Sequence, residues 1–446
     1  MRNWLERIFR LREGEALLVF TLGFVLFLNA AAMQISSVSA VSGFLSEIGV
    51  AQLPLVWIAD FGVILLMSAV QSLVVDRVNR IKLTKIVLAV FLVLVFGIRL
   101  LFAFGAPATL NYSLLYLLTD QQWLFFPAVF WVLTNDVFSM SQGKRLFPVI
   151  GSFGLAGKLF GLGLSWGSPS LFRSLNILPI DILWVNVAIY AGALLLMKIG
   201  LRKVVLTRPS PRDVGAKHTL AEGFQFIRTV PMFRFLTFAI LLLVLCDTII
   251  EFNFLTTTDR AFGANNGFQE FYSIFRIGVI LVSLLAQSLL TSRLIERIQL
   301  RNAFFLLPVT TVLVALGAML WPGAASGIVA MLLTQIVRDT TNDSASKSLQ
   351  SLVPEEKRGR VSMFMESYLT AIGTIIGALI TSAVVFFGPW LGALNVAPIY
   401  LALCALAALL SIGAIVLMRR AYESSMLNWR LTRRKRASDI LSHMEF

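Results

Sequence analysis

The chain has 446 residues, of which 57% are hydrophobic and 14% charged, and a formal net charge of +14. Ordinary soluble domains are roughly 25% charged, which excludes a water-soluble enzyme; at about 20 apolar residues per crossing, the composition supplies roughly a dozen membrane spans. Cys246 and Cys404 both lie inside apolar runs, and His218 and His443 lie in polar segments, so neither a disulfide framework nor a metal cluster is expected.

Breaks at charge, Gly and Pro clusters place spans at 15–37, 53–75, 84–105, 112–135, 146–168 and 180–199, then at 233–255, 270–291, 303–321, 324–346, 361–387 and 397–418. These runs are too long for barrel strands. In lipid the backbone must satisfy its own hydrogen bonds, so the spans should be helices and the fold all-α. The basic opening segment (MRNWLERIFRLREG) precedes an apolar run without a small-residue cleavage site, and reads as leading into a retained first helix.

Basic residues alternate from loop to loop. The termini, the 200–232 loop and every second short loop, with the span ends that flank them, hold 32 of the 38 lysines and arginines, whereas the opposite loops hold only Arg173 and Arg260. The positive-inside bias then puts both termini in the cytoplasm, which requires an even number of spans. Because this charge is spread over all the cytoplasmic loops, it is insertion logic rather than a nucleic-acid surface, and no nucleic-acid partner is expected. The cluster Arg433, Arg434, Lys435 and Arg436 in the tail suits anionic lipid headgroups, at about 1 kcal/mol per charge. Short loops without a targeting extension favour a bacterial inner membrane.

The two halves echo each other. Gln71-Ser72-Leu73 recurs as Gln287-Ser288-Leu289, Thr134-Asn135-Asp136 as Thr341-Asn342-Asp343, and Gly157/Gly161 as Gly373/Gly377. The organisation is therefore a six-helix bundle over 1–199, a cytoplasmic loop over 200–232, a second six-helix bundle over 233–418 and a basic tail over 419–446. That is the plan of transporters that rock one half against the other around a midplane site.

Against this background, the loop carrying Asp76, Arg77, Arg80 and Lys82 resembles the major facilitator loop motif. The runs FWVLTND and GKRLFPVIGSFGLAGKLFG (within Phe130 to Gly161) and the stretch from Asn342 to Ile380 resemble the ATP/ADP translocase-like, nucleotide transporter branch. The resemblance implies twelve helices in two pseudosymmetric bundles, a monomer, and a nucleotide or related small anion as substrate. The ATP-exchanging members have a lysine in the FL-x segment before span two; this chain has Phe44, Leu45, Ser46 and Glu47.

Ionisable groups inside spans are functional candidates by default, because hydrocarbon penalises charge. Lys158 and Arg338 lie about 20 Å into spans five and ten and Arg276 somewhat shallower in span eight, so these three are the expected anion ligands. Asp60, Asp120, Asp247, Glu251 and Asp339 are candidates for ion coupling or charge pairing; Asp247 and Glu251, spaced i,i+4, share a helix face. Arg99, near a helix end, is expected to snorkel. Two cytoplasmic clamps are expected, Asp136 with Arg77 and Arg80 in one half and Asp343 with Arg293 and Arg297 in the other. The small-residue stripe Gly151, Gly154, Gly157 and Gly161 suits a smooth interface that moves between the halves. Alternatives on the same scaffold are a lipid flippase or scramblase and a non-transporting membrane partner. No catalytic constellation or P-loop appears, so an enzyme is not expected, nor any cofactor.

Overall fold

The computed structural model describes residues 15–74, 78–175, 178–202, 228–263, 267–291, 300–350, 364–388 and 396–444, with a few isolated residues between them. Among the described residues twelve main helices follow one another, with shorter helical turns between them. They are α1 (Glu15–Glu47), α2 (Leu53–Val74), α3 (Arg80–Ala103), α4 (Ala108–Val137), α5 (Met140–Leu175) and α6 (Leu183–Gly200). Then come α7 (Pro231–Phe262), α8 (Gly267–Ala286), α9 (Leu306–Leu320), α10 (Ala324–Val337), α11 (Leu369–Phe387) and α12 (Ala397–Met444). Ten of these segments are long and apolar enough to cross a membrane among the described residues. Span four falls outside that group because α4 carries Asp120, Gln121, Gln122 and Asp136, and span ten because α10 has only 14 residues.

The differences from the expected spans have physical causes. α1 runs on to Glu47, ten residues past the expected end, although 38–47 is rich in serine and glycine. Val38 to Leu45 are buried and the Ser42 hydroxyl donates to the Val38 carbonyl at 2.6 Å, so the polar side chain is satisfied inside its own helix. α10 passes into a π turn at Arg338–Asn342 and then a helical continuation, Asp343–Gln350; α11 is preceded by another π turn, Phe364–Tyr368. Such bulges insert one residue into the helix and recur at functional sites.

Two compact units form. The first comprises Met1–Asp213 together with Thr258–Ile280; the second comprises Val214–Thr257 together with Leu281–Phe446. The end of α7 and much of α8 therefore group with the first unit, although the repeat assigns them to the second half.

Each unit repeats the same packing. In the first, α5 presses against α1: a Cβ on Gly157 would lie 2.2 Å from the Phe27 carbonyl oxygen, and one on Gly161 2.4 Å from that of Ala31. In the second, a Cβ on Gly373 would lie 2.8 Å from Val244, and one on Gly377 2.9 Å from Thr248, both on α7. This corrects the expected role of the glycine stripe. Gly157 and Gly161 lie between two helices of one unit, where backbone-to-backbone approach excludes any side chain, and Gly154 meets Leu26 of the same helix.

A matched polar tie accompanies each contact. Tyr190 of α6 donates to Asn29 Oδ1 of α1 at 3.2 Å, and Tyr400 of α12 donates to Asn253 Oδ1 of α7 at 3.1 Å. All four side chains are buried, where an unmade hydrogen bond costs about 1–3 kcal/mol. Cys246 and Cys404, both free thiols, also meet across α7 and α12, with Cys246 Sγ donating to the Cys404 carbonyl at 3.3 Å.

Candidate functional site

Three charged residues of the first unit lie at similar depth, Asp60 buried and Asp120 and Arg276 half-buried. Counted from the end of the unit that carries the α1–α2 and α3–α4 turns, Asp60 lies about 10 Å along α2, Arg276 about 13 Å along α8 and Asp120 about 18 Å along α4. Ser37 lies about 15 Å back from the end of α1. Asp60 is fully buried, and neither of its carboxyl oxygens receives a hydrogen bond from a donor among the described residues. What it faces, within hydrogen-bonding range, is the carboxyl of Asp120. One turn away the buried Trp57 Nε1 donates to Tyr116 Oη at 2.7 Å, which ties α2 to α4 and fixes the two carboxyls opposite each other.

Arg276 completes the group. Its Nη1 donates to Ser37 Oγ at 2.7 Å, its guanidinium sits 5.5 Å from the Tyr272 ring centre, and its charge acts on Asp120. Ser37 and Tyr272 were not among the sequence candidates. Tyr272 precedes Arg276 by one helical turn and was findable from i,i+4 spacing; Ser37 is 239 residues away and was not. Nearby, Gln269 Nε2 donates to the Ser165 carbonyl and to Ser168 Oγ, each at 3.0 Å, holding the start of α8 to α5.

The second unit arranges its charge differently. Arg338 opens the π turn of span ten, its Nη1 donates to Asp247 Oδ2 of α7, and its Nε donates to Asp339 Oδ1 at 3.3 Å. Glu251, one turn beyond Asp247, also acts on the guanidinium. One cation thus stands among three carboxylates. Two of its five N–H groups are engaged by Asp247 and Asp339, and the others can serve an anion. Lys158 is half-buried on α5, next to the Gly157 contact.

At the opposite end of the first unit, Arg80 Nε and Asp136 Oδ2 stand 3.1 Å apart, so the structure brings these two predicted partners together. Arg77 and Arg293 lie outside the described residues. Of the second expected clamp, Asp343 pairs with Lys347 at 2.8 Å, one turn along the same helix, and Arg297 is exposed. The i,i+4 partner is available without any cross-helix ordering. Two other pairs escaped the sequence reading. Glu15 accepts from Arg145 at 2.8 Å and from Gln142 at 3.0 Å, joining the starts of α1 and α5. Arg99 pairs with Asp181 and lies 5.5 Å from the Trp184 ring centre, so it is held by a partner rather than snorkelling alone.

No family model and no curated protein matches the chain. Solved structures do. The nucleoside transporter NupG superposes with a TM-score of 0.64 at 15% identity, over 91% of this chain and 99% of that one. An auto-inhibited POT family peptide transporter gives 0.64 at 14%, over 90% and 96%, and a bacterial homologue of the iron transporter ferroportin, inward-facing, gives 0.64 at 13%, over 92% and 100%. The chain is an all-α integral membrane protein with the twelve-helix, major facilitator-like fold.

Proposed function

We propose that the protein is a secondary transporter that works by alternating access and moves a small anionic solute, with nucleotides the favoured class. The fold supports transport, since every neighbour named above is called a transporter or a homologue of one. The nucleotide class is supported by the branch-level motifs around Phe130 to Gly161 and Asn342 to Ile380. The loop charge supports cytoplasmic termini, with a bacterial inner membrane as the proposed setting.

The observation that carries the anionic substrate is Arg338. A deep guanidinium with N–H groups to spare, on a helix broken by a π turn, offers planar bidentate recognition to a phosphate or carboxylate. The arriving anion takes the N–H groups that Asp247 and Asp339 leave open and weakens their hold on the guanidinium, so binding exchanges part of an internal salt bridge for an external one. That exchange is a differential contact between empty and loaded states, which alternating access requires. Lys158 and Arg276 are the further cations proposed to draw the anion in.

Binding to purified protein tests this directly. Nucleotides, inorganic phosphate and an uncharged nucleoside are compared by thermal shift on wild type, Lys158→Ala and Arg338→Ala. Anions should stabilise the wild type and lose that effect in both variants. Stabilisation by the nucleoside alone, or unchanged anion effects in the variants, overturns the anionic reading.

A further inference from the structure

We propose that Cys246 and Cys404 form a dithiol site that a small uncharged oxidant, a peroxide, converts to a disulfide, locking α7 to α12 one residue from Asp247. Formation of the bond stands apart from any transport activity; its effect on solute binding rests on the anion reading of Arg338.

The seam between α7 and α12 carries the proposal, and over these residues both helices belong to the second unit. Three polar ties cross it at intervals of seven residues along α7: Ser411 Oγ donates to the Ala239 carbonyl at 3.3 Å, Cys246 Sγ to the Cys404 carbonyl at 3.3 Å, and Tyr400 Oη to Asn253 Oδ1 at 3.1 Å. The flanking ties lie about 10 Å to either side of the cysteines on α7 and set the register of the two antiparallel helices there. The middle tie is reciprocal, since Cys404 Sγ also reaches the Cys246 carbonyl, at 3.8 Å. Each thiol thus lies beside the main chain of the other cysteine, and joining the sulfurs asks only that both turn away from the carbonyls.

Burial selects the reagent. Cys246 is 1% exposed and Cys404 0%, which shuts out bulky or charged oxidants such as glutathione disulfide. Hydrogen peroxide is uncharged and close to water in size. It transfers one oxygen to the first thiol, leaving a sulfenic acid and one water; the second thiol attacks that sulfur, forms the S–S bond and releases a second water. The two thiols lose two electrons and the peroxide gains them. Fixed proximity favours this closure over reaction with a thiol of another molecule.

The consequence lies next door. Cys246 precedes Asp247, which accepts from Arg338. A disulfide fixes the turn of α7 that carries Asp247 against α12, so the carboxylate cannot withdraw as an anion takes up the guanidinium. Oxidation should therefore weaken anion binding.

The site is tested on purified wild type treated with hydrogen peroxide or with glutathione disulfide, unfolded in N-ethylmaleimide and analysed by mass spectrometry. Peroxide should remove both alkylation sites and yield a peptide pair linked through Cys246 and Cys404, returned to two free thiols by dithiothreitol. Two alkylated thiols after peroxide, over-oxidised cysteine without a link, or a link only between molecules overturns the site. Equal reaction with glutathione disulfide overturns the selection by burial.

The lock is read from the affinity for ATP and for inorganic phosphate. Disulfide-linked wild type should bind the anion several-fold more weakly than the reduced protein and recover in dithiothreitol, whereas Cys404→Ala given the same peroxide should not change, which removes methionine oxidation as the cause. Equal affinity in the linked and reduced wild type overturns the lock. If neither anion binds the reduced protein, the anion reading of Arg338 fails and the effect on binding fails with it, while the disulfide result stands.

Discussion

The charge clusters within the spans of the two units are built on opposite plans. In the first unit two acids face each other and the arginine is tied to a serine hydroxyl; in the second one arginine is clasped by Asp247 and Asp339 with Glu251 close by. The repeat makes the contrast sharper. Asp60 and Arg276 occupy equivalent sequence positions in spans two and eight, yet one is an acid and the other a base, whereas the glycine contacts and the tyrosine–asparagine ties are duplicated. An acid–arginine pair keeps a guanidinium oriented, and on the proposed account that cluster meets the anion.

The largest effect that would break this comparison is at Arg338. Arg338→Ala should abolish solute uptake, and adding Asp247→Asn should recover thermal stability but not uptake, because the carboxylate left behind is neutralised while the anion's ligand is still missing. Recovery of uptake in the double variant would contradict an anion ligand at this position.

Glycine substitutions compare the two helix contacts. Gly161→Ala drives a methyl into a backbone carbonyl that cannot step aside, which should cost about 1–3 kcal/mol or more. Gly377→Ala meets Thr248 Cβ at 2.9 Å and the Leu245 carbonyl oxygen at 3.0 Å, so its loss of melting temperature should be the smaller. Gly163→Ala, with nothing within 4 Å, should be neutral or slightly stabilising.

Next come the polar ties. Asn29→Ala and Asn253→Ala each strand a buried tyrosine hydroxyl, and each should lower stability by about 1–3 kcal/mol. Asn29 should be the costlier, since its Nδ2 also donates to the Gln122 carbonyl at 3.2 Å. Equal losses would show that this second bond adds nothing.

The last comparison is between the Arg80 and Lys347 ion pairs, and the exposed one should show the smallest effect. Asp136→Asn leaves the buried Arg80 facing a neutral amide and should cost about 1–3 kcal/mol; it should also alter the accessibility of nearby introduced cysteines, because Arg80 belongs to another helix. Asp343→Asn should leave accessibility unchanged, since its partner Lys347 lies on its own helix.

Much of the architecture was legible in the sequence because lipid imposes it. Every span needs an apolar run, so each of the twelve segments coincides with an expected one, and the repeat of Gly157/Gly161 in Gly373/Gly377 marks the same packing twice. Helix ends were less legible: the serine-rich end of α1 looks like a loop until its hydroxyls are seen bonding back to the helix and its side chains packing inside the bundle. The membrane-embedded charges were found by type alone, but their partners were not. Ser37 for Arg276 and Asp181 for Arg99 are separated from them by 239 and 82 positions, distances that only the fold closes. Asp343 shows a related effect: a local partner at i,i+4 competes with any distant one, and Lys347 stands at that spacing.

Counterflow in liposomes tests the central claim most directly. Vesicles carrying the protein are loaded with unlabelled ATP, ADP or phosphate, and entry of the labelled counterpart is followed in wild type and in Arg338→Ala. The account predicts that an anion-loaded wild type accumulates label and that Arg338→Ala, correctly folded, does not. Accumulation that survives in Arg338→Ala, or that is driven only by an uncharged solute, would contradict it.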